Sequence, residues 1–528
     1  MPTLTKTTIS IERDVRVPLR DGASLAADLW RAAGADEPRP VLLQRTAYDK
    51  GDLNVSGLHA GLDPLRAVAA GYAVLIADIR GRFASGGDFS PFAQEAADGA
   101  DAIAWVRDQP FCDGRVLTYG TSYNGALQLL GGGADAVSAI EAASPFHDGL
   151  TRIGGARSLG FLVSWVAIDL APVALARRAA AGEDVAALAA ALEAQRRDPL
   201  GTARRCAEGE LGALGELVPA LAAWLGAAEA EADAPGGTAG AFPAPTAPGL
   251  HLGGWHDLFL GATLAGFADG GEDARLLVGP WAHGVIGSRI GELDFGIDAP
   301  QGAIDLTAQQ LAFFDAVLED RLAEIPRVRV FLMGANAWRT EEAWPPARMA
   351  PVRLHLVPGG ALTVAVQHGA GADELLHDPA DPVPTRGGAV ALDPAVGFAG
   401  PADQRAVEAR ADVLTYTTAP LAHDVELMGP VRATLDATGG GDWCVKLVDV
   451  HPDGRAMSVC DGVLRTAGDA GRHEIHVGDT AILVPAGHRL RVELAASNFP
   501  RVDVHPQPAR RAVRAGSIDL PVTAGALA

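Results

Sequence analysis

The chain has 528 residues, too many for one compact core, so two or three domains are expected. Its formal net charge of -22 leaves no basic face to neutralise phosphates, which argues against nucleic acid or an anionic membrane as partner. Four cysteines without C-x-x-C spacing fit reduced thiols rather than a disulfide frame or zinc site, so metal and redox chemistry drop out and no cofactor is implied.

Met1 to Glu12 has no apolar core of a signal peptide. The longest apolar stretch, Leu159 to Ile168, is far short of a bilayer span and contains Ser164, so a soluble cytoplasmic protein is the expectation. Ser10 to Val17 and Ala23 to Trp30 alternate apolar and polar around Leu19-Arg20-Asp21-Gly22, which predicts an opening β-hairpin. Short apolar runs at Pro40 to Leu43, Tyr72 to Ala77, Val116 to Tyr119 and Val137 to Ala143 then alternate with helical segments at Pro64 to Ala70 and Ala93 to Gln109. Strands alternating with helices predict a parallel sheet covered on both faces, an α/β domain over residues 1–147.

Asp148 to about Asp233 is rich in Ala, Leu, Glu and Arg, and a Pro/Gly/Ala-rich stretch follows to Pro248. This predicts a helical cap over residues 148–246, inserted between two strands and walling off a pocket. The sheet is expected to resume over 247–325 with strands at Leu250 to Gly253 and Arg275 to Val278, and helices at Leu258 to Phe267 and Leu306 to Leu322. From Val328 to Leu494 short β-type runs are separated by Gly, Pro and Asp, which predicts an antiparallel sandwich over residues 326–528.

The chemistry centres on Gly120-Thr121-Ser122-Tyr123-Asn124-Gly125, a G-x-S-x-x-G turn between a strand and a helix. Such a turn lifts a hydroxyl clear of its backbone beside a helix N-terminus, where negative charge is favoured. The lipase-like elbow is G-x-S-x-G; Gly125 sits one position later, and glycines around a turn serine also occur as plain turn chemistry. A serine nucleophile needs a base and a carboxylate in the chain order Ser, acid, His, each after a sheet strand. Asp257 and His283 meet both conditions. Asp78 precedes the serine and reads as structural; His256 adjoins Asp257 but diverges from it; His147, after a strand, is a candidate for the pocket wall. The oxyanion donors expected are the backbone N–H of Tyr123 and, more weakly, the phenol of Tyr48 in the loop after Leu43.

Taken together, Arg45 to Lys50 (R-T-A-Y-D-K), Asp78 to Gly87 (D-I-R-G-R-F-A-S-G-G), Phe111 to Gly114, the Ser122 turn, Gly254-Trp255-His256-Asp257 and Gly279-Pro280-Trp281-Ala282-His283 resemble the cocaine esterase and X-Pro dipeptidyl-peptidase family of hydrolases. Leu447 to Ala456 and Ser497 to Arg501 are similar to that family's C-terminal jelly roll, so the resemblance covers nearly the whole chain. It implies an α/β-hydrolase with a helical cap and a jelly-roll domain, Ser122 as nucleophile, Asp257 as acid, His283 as base and Tyr48 as oxyanion donor. It also suggests that Trp165 and Phe259 line the acyl pocket. Two departures stand out: Ala47 replaces the usual proline before the oxyanion tyrosine, and Val502-Asp503-Val504 follows Arg501 in place of an aromatic and D-R-N pattern. No carboxylate cluster for a substrate ammonium is evident on the cap, where Asp169 and Glu183 are the candidates.

The expected activity is hydrolysis of a small-molecule carboxylic ester through a Ser-His-Asp triad and an acyl-enzyme. An amidase, an X-Pro dipeptidyl-peptidase-like acylase or an acyltransferase of the same family is the alternative. A sugar- or protein-binding module is the non-enzyme reading, and a homodimer is plausible because relatives associate.

Overall fold

The computed structural model describes residues 7–527 except 36, 53–60, 145–148, 227–246, 367–370, 469 and 524–526. Strands β1 (Ile9–Pro18) and β2 (Ser24–Ala32) form the opening hairpin, closed by the Gly22 N–H on Leu19 O at 3.0 Å. Strands β3 (Arg39–Thr46), β4 (Ala73–Asp78), β5 (Cys112–Thr121) and β6 (Ala136–Ile140) follow, with helices α1 (Pro64–Ala69), α2 (Glu95–Arg107) and α3 (Tyr123–Gly131) between them. Every residue of β4 and β6 is buried, as parallel strands must be when helices cover both faces. The Asp63 carboxylate caps α1 by accepting the Leu65 N–H at 2.8 Å.

The cap opens on a hairpin that the Ala-rich composition conceals: β7 (Arg152–Ile153) pairs with β8 (Ala156–Arg157) across Gly154-Gly155, a two-residue turn. Helix α4 (Leu159–Trp165) continues through a π-turn, Val166–Leu170, into α5 (Ala171–Ala180). This makes one helical run of 22 residues, longer than the apolar run suggested and sufficient in length and hydropathy to cross a bilayer; in this fold it is more than half buried against the rest of the molecule. Helices α6 (Ala186–Arg197), α7 (Pro199–Ala207), α8 (Gly212–Leu217) and α9 (Ala220–Gly226) complete the cap.

The sheet resumes with β9 (Gly249–His256), helix α10 (Leu260–Asp269) and β10 (Ala274–Ala282). A short hairpin, β11 (Arg289–Ile290) with β12 (Leu293–Asp294), precedes helix α11 (Leu306–Leu318). Strands β13 (Val328–Leu332) and β14 (Ala337–Glu341) then finish the sheet, whose order is β1-β2-β4-β3-β5-β6-β9-β10-β13-β14. The pairs from β4 through β13 are parallel, and the outer pairs at both edges are antiparallel.

Val328–Leu332 is therefore part of the α/β sheet and not of the sandwich, as the sequence reading had it. A five-residue apolar run reads alike in either setting; α11, as the crossover before it, delivers it parallel to β10. The remaining strands, from Met349 to Thr523, build the barrel-like sandwich around Leu427, Leu435, Trp443, Leu447, Val492 and Ile518, all buried.

Asp503 joins the cap to the sandwich. Its carboxylate accepts the Arg157 N–H at 2.7 Å and Nε at 2.8 Å, and Arg465 Nη1 at 3.0 Å. Arg157 also donates to Leu225 O and Ala207 O within the cap. Burial works to raise the Asp503 pKa, but Arg465 and Arg157 outweigh it and hold it below the ordinary 3.8. Asp503→Asn leaves half-buried Arg157 without its anion and Arg465 with Asp442 alone, and is expected to cost about 3 kcal/mol in urea unfolding at pH 7. Because the folded-state pKa is depressed, this contribution is present above the unfolded value and disappears as pH falls through the folded one, so the gap between variant and wild type should close in acid.

Candidate active site

Ser122 lies between the end of β5 and the start of α3 with φ +59° and ψ −125°, a combination that glycine adopts and other residues avoid. Surrounding backbone bonds hold it there: its N–H donates to Ile140 O at 2.8 Å, and its carbonyl accepts from Ala126 at 3.1 Å and Ala143 at 3.1 Å. Close packing explains the flanking glycines. A Cβ at Gly120 would meet Asn124 O at 2.6 Å, and one at Gly125 would meet Ile140 O at 3.0 Å. The second glycine thus stands where α3 passes closest to β6, one position beyond the lipase-like pattern. Ser122→Gly removes the strain, which at about 1–3 kcal/mol exceeds the extra chain entropy of glycine. It is expected to raise the unfolding free energy by about 1 kcal/mol, measured by urea titration.

His283, just after β10, places Nε2 2.9 Å from Ser122 Oγ, and its Nδ1 lies 3.2 and 3.4 Å from the two oxygens of Asp257, just after β9. Asp257 is buried and its Oδ1 also accepts the Phe259 N–H at 2.8 Å. The Phe259 ring stands edge-on to the imidazole, centroids 5.1 Å apart. Burial alone would lower the His283 pKa, but Asp257, with Glu141 and Asp169 further off, more than offsets it and holds the ring above the ordinary 6.5. A hydroxyl bonded to an imidazole that is itself bonded to a carboxylate can pass its proton to the ring while bonding to a carbonyl carbon.

Tyr48 sits beyond β3 with its hydroxyl hydrogen-bonded to Ser122 and accepting the Trp165 indole N–H at 3.1 Å. Burial pushes its pKa well above 10, so it stays a phenol with a proton to donate. The Ala47 N–H, a donor that a proline would lack, bonds to Asn124 Oδ1 at 3.0 Å, and Asn124 Nδ2 donates to Thr46 Oγ1 at 3.1 Å. Buried Arg82 ties this loop to the cap, donating to Ala47 O at 2.9 Å, Asp169 O at 2.8 Å and Leu170 O at 3.2 Å. The Tyr123 side chain is turned away, its hydroxyl donating to Glu95 at 2.9 Å, which leaves its backbone N–H in the first turn of α3.

Ser122 opens into a cavity of about 460 Å³ lined by Tyr48, Phe161, Trp165, Ile168, Asp169 and His283 among others. Trp165 is in the wall. Phe259 is fully buried behind it, packed edge-on to Phe161 at 5.4 Å, so the wall there is Phe161. His147 lies outside the described residues. His256 faces away from the cleft toward Phe295, and burial lowers its pKa to about 3. Asp78 accepts the Lys50 and Ala84 N–H groups at 2.7 and 3.1 Å, a structural turn. Asp169 faces the cleft with its pKa raised to about 6 by burial, whereas Glu183 pairs with Arg178 at 2.7 Å on the surface.

Glu141 escaped the sequence reading. It follows β6 with φ +45°, is buried, lines the cleft, and holds Oε2 3.6 Å from His283 Nδ1. Its only sequence signal is an acid at a strand end in an Ala-rich stretch. Among the described residues, two groups bring three ligand-type atoms within 4.8 Å of one another: Glu141, Asp257 and His283, and, in the sandwich, Asp449, His451 and His488. In the second group Asp449 already accepts His488 Nδ1 at 2.8 Å.

A parallel sheet with a serine at the sharp turn after β5, a carboxylate after β9 and an imidazole after β10 defines an α/β-hydrolase. The family model for the X-Pro dipeptidyl-peptidase (S15 family) matches residues 21–285, and that for the X-Pro dipeptidyl-peptidase C-terminal non-catalytic domain matches residues 321–525. Cocaine esterase of Rhodococcus sp. (strain MB1 Bresler) is 36% identical, covering 94% of this chain and 92% of its own. The chain belongs to this cocaine esterase and X-Pro dipeptidyl-peptidase family and is a hydrolase of the serine esterase class. Among solved structures, an aminopeptidase from a marine sediment archaeon, Thaumarchaeota archaeon, superposes with TM-score 0.75 at 22% identity, covering 99% of this chain and 97% of that one. An α-amino acid ester hydrolase gives TM-score 0.73 at 22% identity, covering 99% and 98%. The whole two-part fold is shared with both.

Proposed function

We propose that the protein hydrolyses carboxylic esters of small molecules through an acyl-enzyme on Ser122. The observation that carries this reading is the hydrogen-bonded chain from Ser122 Oγ through His283 to Asp257, at 2.9 and 3.2 Å, at the wall of a cap-covered cleft. Ser122 Oγ attacks the ester carbonyl as its proton moves to His283 Nε2, and Asp257 holds the Nδ1–H and stabilises the imidazolium. The Tyr48 hydroxyl and the Tyr123 N–H receive the oxyanion. His283 then returns the proton to the departing alkoxide, and a water activated by the same ring releases the acid. Phe161, Trp165, Ile168, Pro172 and Val173 give the cleft an apolar wall suited to an uncharged acyl or alcohol group.

The test is a panel of p-nitrophenyl esters of rising chain length with matching anilides, together with intact mass after a fluorophosphonate probe. One adduct on Ser122 and ester turnover with a chain-length optimum support the reading; absence of both sinks it. A second reading, an amidase, X-Pro dipeptidyl-peptidase-like acylase or acyltransferase, is favoured by Asp169, a half-buried carboxylate facing the cleft that could meet a substrate ammonium. Under that reading anilides carrying a free α-amine are cleaved and their acetylated counterparts are not.

A further inference from the structure

Two carboxylates, not one, face the inner nitrogen of His283. Asp257 comes from the end of β9 and Glu141 from the end of β6, with oxygens 3.2 and 3.6 Å from Nδ1. They are not equivalent. Asp257 Oδ1 is already engaged by the Phe259 N–H, whereas Glu141 has one oxygen on the Gly284 N–H at 3.2 Å and the other, Oε1, buried with no hydrogen-bond partner among the described residues. The Glu141 backbone sits in the left-handed region, at φ +45°, where a side chain other than Gly, Asn or Asp is uncommon. A buried carboxyl with a vacant oxygen is costly unless it holds a proton or finds a donor, and the other oxygen, Oε2, is the one that lies 3.6 Å from Nδ1.

We propose that Glu141 is a second acid for His283, a positioning residue that shares the Nδ1 proton with Asp257 and takes over its role when Asp257 is lost. This inference rests on the reading of Ser122 as nucleophile and His283 as base.

The charge balance is as follows. The groups facing Glu141 are Asp257 and His283, with Asp169 facing the same ring from the cap. Burial and then the Asp257 charge raise the Glu141 pKa, so Glu141 keeps its proton. During attack the Ser122 proton moves to Nε2, the Nδ1–H stays in place, and Glu141 remains neutral. Once the Asp257 charge is removed, burial still favours the protonated form, but the repulsion is gone and the His283 charge and the Gly284 N–H are left to pull the Glu141 pKa down. Glu141 then releases its proton to solvent and accepts the Nδ1–H through Oε2, the oxygen 3.6 Å from it.

The test compares wild type, Glu141→Gln, Asp257→Asn and the double variant on one aryl ester across pH, with phosphonate titration counting folded sites. In a triad with one acid, Asn for Asp lowers kcat by about 10⁴-fold. Here Asp257→Asn is expected to lose about 10²-fold or less, and adding Glu141→Gln to lose roughly the remaining 10²-fold. Glu141→Gln alone keeps the acceptor for Gly284 and should stay within tenfold of wild type. In the Asp257→Asn background, where Glu141 carries the charge, adding Glu141→Gln should move the acid limb of kcat/KM to lower pH: the base works when neutral, a nearby carboxylate raises its pKa, and removing that carboxylate lowers it. In that background Glu141→Asp, which keeps a carboxylate, should leave the limb nearer its position in Asp257→Asn than Glu141→Gln does.

A limb unmoved when Glu141→Gln is added to Asp257→Asn, or the full 10⁴-fold loss in Asp257→Asn alone, overturns the inference. Turnover surviving in Ser122→Ala would instead overturn the nucleophile reading beneath it, so the two failures are distinguishable.

Discussion

Ser122→Ala is expected to lower kcat for aryl-ester hydrolysis by about 10⁶-fold, the scale seen when a serine nucleophile is removed from an intact triad. The fold should survive, because alanine meets the same backbone restraint at φ +59° as serine does, and the bonds to Ile140, Ala126 and Ala143 involve main chain only. Circular dichroism and unfolding should match wild type while the fluorophosphonate adduct vanishes. Residual turnover would come from the oxyanion donors and the cleft. A variant that kept even one per cent of wild-type kcat would show that the hydroxyl is not the attacking group.

Tyr48→Phe is expected to lower kcat by about 10²- to 10³-fold with KM nearly unchanged. The reason lies in the direction of its hydrogen bonds. The Trp165 indole can only donate, so the Tyr48 oxygen accepts from it and the phenolic proton is free to point at Ser122 and at a developing oxyanion. Burial keeps that proton on across the working pH range. The phosphonate should label the variant more slowly as well, since its tetrahedral adduct uses the same donor. Equal changes in kcat/KM and KM, with kcat intact, would make Tyr48 a packing residue instead.

Chain order and strand-end position were enough to find Ser122, Asp257 and His283, because an α/β sheet presents its loops at the carboxyl ends of its strands and the helices between fix which ends are neighbours. Tyr48 was reachable only weakly from its loop position until the resemblance singled it out, and Trp165 only through the resemblance, since nothing in a loop tyrosine or a cap tryptophan marks it as more than packing. Glu141 was not legible: it belongs to no motif, and its nearness to His283 follows from β6 pairing beside β9, a relation between residues more than a hundred positions apart. Phe259 was misplaced by one layer because a two-residue step past Asp257 does not say whether a ring faces the cleft or the core. The hairpin β7–β8 and the assignment of β13 to the first sheet were hidden for a similar reason, as composition reports the character of a segment and not its partner.

Arg82 clamps Ala47 on the oxyanion loop and Asp169 and Leu170 on the long cap helix at once, and Trp165 on that helix donates to Tyr48. Roof and reaction centre therefore form one lever. With Ser122 and Tyr48 in the roles proposed, an acyl group bulky enough to push the helix outward would also drag the Tyr48 hydroxyl off its position, so an oversized substrate should be held but turned over slowly. Discrimination by size in this enzyme should therefore register in the speed of the chemical step more than in occupancy of the cleft.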